Sequence, residues 1–234
     1  MNWETLPDYD VLSDRAAEIL LEAILRNPRV VLGLPTGRTP VKMYERVVAA
    51  CGRAYHCFRD VVTFNLDEYV GIERTHPGSY FTFMKRHLFD FIDIDPANAH
   101  IPNGAAADID AECAHYEGEI AAAGGLDLTF LGLGSNGHIA FNEPGTPFGS
   151  RTRVVALTES TRAANAALFP DGNVPTHAIT MGIATILESK SIVLLASGEK
   201  KRAAIERLRS GEISEEFPAS ALWKHPEVQV LMAP

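Results

Sequence analysis

Apolar and polar positions follow two rhythms along this chain. Between 11 and 26, Val11, Leu12, Ile19, Leu20, Ala23 and Ile24 recur on one side at helical spacing. The run Val30-Val31-Leu32-Gly33-Leu34 is short, β-rich and bounded by Pro28 and Pro35, which predicts a buried strand. Pro40 suits a first helical turn and opens a helix through Met43, Tyr44, Val47 and Val48. The alternation continues with strands over 60–66, 126–133, 191–196 and 228–231, and with helices over 79–91, 108–122 and 199–209. Strands that are apolar on both faces and alternate with helices predict an α/β fold. The expected architecture is a mostly parallel open sheet covered by helices on both faces. No repeat, low-complexity segment or linker interrupts 1–234, so one domain is expected over the whole chain.

Composition narrows the function classes. The formal net charge of −9 disfavours nucleic acid, which needs clustered lysine and arginine. A small anionic substrate stays compatible, because one local pocket can be positive on a negative protein. No apolar stretch is long enough to span a membrane, and the N-terminus, Met1-Asn2-Trp3-Glu4, does not read as a signal segment. A cytoplasmic protein is expected. Cys51, Cys57 and Cys113 show neither CxxC spacing nor an even count, and read as thiols in a reducing compartment. The histidines His56, His76, His87, His100, His115, His177 and His225 form no compact ligand set, so no metal is expected.

Open sheets of this kind bind ligands beyond the carboxyl ends of their strands. Three stretches there carry candidate chemistry. The loop Leu34-Pro35-Thr36-Gly37-Arg38-Thr39-Pro40 enters a helix, and reads either as a phosphate cradle or as a tight, threonine-capped turn. Asn65-Leu66-Asp67-Glu68-Tyr69 places two acids at a strand end, for acid–base work or for a helix cap. Gly132-Leu133-Gly134-Ser135-Asn136-Gly137-His138 leads to Glu143, five residues beyond the histidine. That spacing allows an oriented His–Glu pair, in which the carboxylate fixes the ring tautomer; a lone histidine in a turn is the alternative. Lys200 and Lys201, after the strand at 191–196, and Arg162 add basic groups that read as anion ligands or as solvated helix charges.

Together these segments resemble the glucosamine-6-phosphate deaminase family. The resemblance rests on LGLPTGRTP at 32–40, VVTFNLDEYVG at 61–71, HPGSY at 76–80, GSNGHIAFNEPGTPF at 134–148, SRTR at 150–153 and SGEKKRAA at 197–204, in the family order over nearly the whole chain. It implies a Rossmann-like fold with a mobile lid over roughly 157–177. It also implies a cofactor-free, metal-free enzyme that turns glucosamine 6-phosphate into fructose 6-phosphate and ammonia. Asp67 matches the enolising base. His138 matches the ring-opening group, assisted by Asn136 and Glu143. Thr36, Gly37, Arg38, Thr39, Arg162 and Lys200 match the phosphate site. Monomeric and oligomeric members both exist in that family.

Departures from the pattern point to its short subgroup. Position 136 is Asn where larger members carry Asp, Val155 replaces a lysine of their effector pocket, and the chain stops at Pro234. Allosteric control is therefore not expected. A 6-phosphogluconolactonase is the nearest rival; its pattern resembles this one but lacks an acid equivalent to Glu143. A galactosamine-6-phosphate deaminase and a non-enzymatic sugar-phosphate sensor are further alternatives.

Overall fold

The apolar runs become short strands. In a computed structural model, which describes residues 1–52, 57–169 and 172–234, the strands are β1 (Asn2–Thr5), β2 (Val31–Leu34), β3 (Val62–Asn65), β4 (Asp67–Tyr69), β5 (Ala99–His100), β6 (Leu128–Gly132), β7 (Arg153–Ala156), β8 (His177–Thr180), β9 (Ser191–Ser197) and β10 (Val228–Ala233). The helices are α1 (Tyr9–Arg26), α2 (Val41–Cys51), α3 (Tyr80–His87), α4 (Ile109–Ala122), α5 (Glu159–Asn165), α6 (Ile183–Leu187) and α7 (Arg202–Arg209). His56, and positions 170 and 171 of the segment expected to form a lid, lie outside the described residues.

Seven strands pair in the order β1-β10-β9-β6-β2-β3-β5, and every pairing is parallel. Alternate side chains of a strand face opposite ways, so each strand feeds two cores. Val193 and Leu195 of β9 join Leu12, Leu20, Met43, Val47 and Met84 from α1, α2 and α3 on one face. Ile192 and Leu194 join Tyr116, Ile120, Ile186, Ile205 and Leu208 from α4, α6 and α7 on the other. The layers are helix, sheet and helix. Asp8, Ser79, Asp108 and Thr158 cap α1, α3, α4 and α5, each accepting from a backbone N–H of the first turn.

The pattern along the chain did not foresee a second sheet. β4, β8 and β7 pair antiparallel, in that order. The predicted strand over 60–66 ends at Asn65, and Asp67 begins β4. β1 and β5 also went unforeseen, because edge strands of two to four residues carry no long apolar run. The helix predicted over 79–91 stops at His87. Leu88 leaves helical geometry, and a separate 3-10 turn covers Phe89–Phe91. The helix predicted over 199–209 begins as a 3-10 turn at Glu199–Lys201 before α7.

The chain order reverses between β2 and β6. After β2 it builds outward through β3 and β5, then returns to place β6 on the other side of β2. The loops after β2 and β6 therefore diverge at the carboxyl edge and leave a crevice between them.

Candidate active site

A cleft of about 710 Å³ occupies that crevice. The Pro35–Thr39 loop, Asp67, the Gly132–Asn136 turn, His138, and the Ser197–Lys201 turn after β9 all line it. Tyr80, Thr161 and Asn165 complete the wall.

The loop after β2 is held from behind. The Tyr44 hydroxyl donates to Pro35 O at 2.6 Å, and the Tyr9 hydroxyl lies 3.0 and 2.9 Å from the carbonyls of Arg38 and Thr39. These anchors use carbonyls, while the loop from Pro35 to Thr39 borders the cleft. Lys200 and Lys201 approach from the far side. Lys200 is exposed and Lys201 is partly buried. Burial, and then the neighbouring Arg38, hold the Lys201 ammonium below its usual pKa. Two cations facing one cleft favour an anion between them.

The two acids of the Asp67-Glu68 pair separate completely. Glu68 accepts the backbone N–H groups of Tyr69 (2.9 Å), Tyr80 (2.9 Å) and Phe81 (3.0 Å), so it closes the start of α3. Burial lifts its pKa to about 7 against the pull of those donors. Asp67 is buried too, yet its Oδ1 has no hydrogen-bond partner. Burial, and then Glu68, raise its pKa to about 8. A buried acid without a partner is unstable as a structural element, and one whose pKa nears neutrality is suited to exchanging protons.

His138 faces the same space. The turn before it needs glycine twice: a Cβ on Gly134 would run into the imidazole, and Gly137 sits at φ 89 against the Phe217 ring. The ring Nδ1 has no hydrogen-bond partner and lies 3.7 Å from Glu143 Oε2. Burial lowers the imidazole pKa, Glu143 opposes that, and Lys201 adds to it. Glu143 stands behind the cleft wall. Its Oε2 accepts from Asn136 Nδ2 at 2.7 Å, and its Oε1 from the Thr161 hydroxyl at 2.6 Å. Asn136 Oδ1 also accepts the His138 N–H at 3.2 Å. Asn136 thus links the histidine segment to the acid.

The structure gathers Thr36, Gly37, Arg38, Thr39, Asp67, Asn136, His138 and Lys200 at one cleft, with Glu143 directly behind. Arg162 stands apart. It lines a second cleft with residues 70–73, 75, 76 and 172–176, and its Nη2 donates to Val174 O at 3.2 Å. Position in the chain did not single out Thr161 or Tyr80, and gave no ground for separating Lys201 from Lys200, because adjacent residues on a short helix or turn differ in direction by geometry that spacing leaves open. Among the described residues, no group of three or more His, Cys, Asp or Glu is placed to hold a metal ion, and no helix is long and apolar enough to cross a membrane.

A carboxyl poised near neutrality and a histidine, set at the switch point of a parallel sheet beside a cation-lined loop, define an α/β enzyme equipped for proton transfer. The chain belongs to the family of glucosamine-6-phosphate isomerases and 6-phosphogluconolactonases, whose model matches residues 9–232. A glucosamine-6-phosphate deaminase of Lysinibacillus sphaericus is 54% identical over 99% of this chain and 98% of its own length. One from Halalkalibacterium halodurans is 51% identical over 95% and 91%. The solved structure of a monomeric glucosamine-6-phosphate deaminase superposes with a TM-score of 0.97 at 46% identity, covering 100% of this chain and 97% of that one. A 6-phosphogluconolactonase from Thermotoga maritima shares the fold, with a TM-score of 0.78 at 20% identity.

Proposed function

We propose that this enzyme converts D-glucosamine 6-phosphate and water to D-fructose 6-phosphate and ammonia, and that residues 1–234 act as one such domain. The observation that carries the reading is the buried Asp67 carboxyl, with one oxygen unpartnered at a cleft whose far wall is cationic. The high identity to deaminases over the full chain supports the same substrate.

In this reading the phosphate rests on the Thr36-Gly37-Arg38-Thr39 loop, with Lys200 and Lys201 opposite. Phosphate lies remote from C1 and C2, so its binding orients the sugar without taking part in bond changes. His138 moves the proton between the ring oxygen and O1 that opens the pyranose, and the lowered imidazole pKa keeps it neutral and able to accept. Asn136 and Glu143 hold that histidine. Asp67 removes the C2 proton of the open aldose, giving an enolamine. Protonation at C1 yields a C2 iminium; water adds there and ammonia leaves. The described residues of 157–177 form the lid, and Arg162 reaches the phosphate when that lid moves. No metal or cofactor has a step in this scheme.

The monomeric relative supports action as a single chain, and three free thiols among the described residues suit a reducing, cytoplasmic location. An ammonia-release assay with glucosamine 6-phosphate, galactosamine 6-phosphate and 6-phosphogluconolactone tests the function. Ammonia from the first sugar at the highest kcat/KM is expected. Hydrolysis of the lactone without ammonia release from either amino sugar would overturn it.

A further inference from the structure

The small antiparallel sheet places three side chains in a row. Asp67 of β4 is registered opposite Thr180 of β8, and Thr180 opposite Arg153 of β7. Directly opposed residues of an antiparallel sheet project to the same face, so a carboxylate, a hydroxyl and a guanidinium stand side by side. The two outer members of the row beyond Asp67 both grip the segment that follows His138. Thr180 Oγ1 accepts the Phe141 N–H at 3.1 Å. Arg153 Nη1 donates to Asn142 Oδ1 at 2.9 Å, and Nη2 lies 3.4 Å from Thr146 Oγ1. Asn142 is itself fully buried, and its Nδ2 donates to Ile139 O (3.0 Å) and Met181 O (2.9 Å).

The gripped segment brackets Glu143 and holds strain. Ala140 sits at φ 51, a left-handed conformation that is unfavourable for an L-residue and persists only where the surroundings over-determine it. Arg153 is an unusual choice for a simple strut. It is partly buried, and among the described residues no carboxylate lies within ion-pair distance of it; its remaining contact is Arg151 O at 3.4 Å. Burial holds its pKa below the ordinary arginine value. Keeping an unneutralised guanidinium partly out of water is costly, and an apolar side chain would fill the space at less cost. What an apolar residue lacks is a planar fork that bonds Asn142 and Thr146, on either side of Glu143, at once.

We propose that Arg153 is a positioning residue for the reaction: through Asn142 and Thr146 it fixes the 139–146 segment, so that the row Asp67–Thr180–Arg153 sets the separation between the enolising carboxylate and the His138–Glu143 pair. The inference rests on the roles given to Asp67, His138 and Glu143 above. It assigns Arg153 work inside its own subunit, at a position whose charge faces neutral oxygens.

Steady-state kinetics of the parent, Arg153→Gln, Arg153→Lys, Asn142→Ala and the Arg153→Gln/Asn142→Ala double variant test it, alongside melting curves and the NMR titration of His138. A misplacement of about 1 Å in a catalytic group costs on the order of a hundredfold. Arg153→Gln is therefore expected to lower kcat about ten- to a hundredfold with KM within about threefold of the parent. Arg153→Lys, which keeps the charge but not the fork, is expected to fall with it. The double variant is expected to be no worse than the weaker single, and the His138 midpoint to move in both. Parental kcat in a folded Arg153→Gln, or a raised KM with unchanged kcat, overturns the proposal. Should Arg153→Gln not fold, Thr146→Val removes one prong alone. A lowered kcat and shifted His138 midpoint there support the proposal, and parental values overturn it. A parent that releases no ammonia overturns the functional reading instead, and the His138 titration then still reports whether Arg153 governs the segment.

Discussion

The hydroxyl of Thr161, on helix α5, donates to Glu143 Oε1 at 2.6 Å and so ties the segment over the cleft to the acid behind His138. Thr161 is buried, and the other carboxylate oxygen is taken by Asn136. Glu143 therefore reaches His138 with both of its oxygens already fixed by neighbours. Removing one donor loosens the acid without touching the phosphate loop. Thr161→Val, nearly isosteric, is expected to lower kcat about tenfold or more, since a hydrogen bond to a charged group contributes roughly 1.5–3 kcal/mol. KM should stay near the parental value. An unchanged kcat measured at saturation would show that the Thr161 hydroxyl does not hold Glu143 for the reaction.

Asp67→Asn is expected to cut turnover by ~10²–10⁴ while the sugar phosphate still binds, because the proposed base is lost. Solvent-deuterium exchange at the sugar carbons should cease with it. Near-parental turnover would remove Asp67 from the chemistry.

The same carboxyl makes a prediction about pH. Asp67 titrates near 8 in the fold, and near 4 as an ordinary carboxyl. Between those values the folded protein holds a proton that the unfolded chain has released, so stability from this group is full below about pH 4 and lost as pH rises through about 8. Glu68, near 7, acts in the same direction. Asn cannot ionise. The Asp67→Asn variant should thus melt above the parent at pH 9, with the gap closing as pH is lowered. The kcat/KM of the parent should conversely rise toward pH 8, as the base becomes ionised. Equal melting temperatures at pH 9 would mean that Asp67 is not held in a desolvated site.

Lys200 and Lys201 separate by a paired comparison. Lys201 is the more enclosed and is close enough to Arg38 to feel its charge. Lys201→Ala is expected to weaken binding of 6-phosphorylated sugars by on the order of 1–3 kcal/mol, the scale of a charge-assisted contact. Lys200→Ala, on an exposed side chain, should weaken it less. Calorimetry with the phosphorylated and unphosphorylated sugars reads the difference, and an equal loss for both sugars would show that neither lysine is a phosphate ligand.

Exhaustive chelation is expected to leave full activity, since the proton transfers proposed for Asp67 and His138 require no Lewis acid. Activity lost on chelation and restored by zinc or magnesium would show the histidines to be misread.

The alternation of apolar runs with amphipathic stretches was enough to determine a parallel, helix-covered sheet, because strands buried on both faces and helices apolar on one side leave few other ways to pack. It also determined where to look, since Gly-rich and charged residues directly after apolar runs must fall at the carboxyl edge. Local signals stop where direction matters. Asp67 and Glu68 are adjacent and chemically alike, and only the antiparallel sheet turns one toward the cleft and the other onto the N–H groups of α3. Lys200 and Lys201 differ by one step of a 3-10 turn. Arg162 sits against Val174, although the family resemblance implies a place at the phosphate site. The small sheet itself was invisible, since β4, β7 and β8 are three to four residues long and β4 meets β8 across more than a hundred residues of chain. Such pairings depend on closing long loops and on faces buried only once the main sheet exists, so no window of sequence contains them. Which residue types could do the chemistry was written in the sequence; that Glu68 is tied to the backbone of α3 while Asp67 Oδ1 stays unpartnered at the cleft was decided by the tertiary fold, because successive side chains of β4 turn opposite ways.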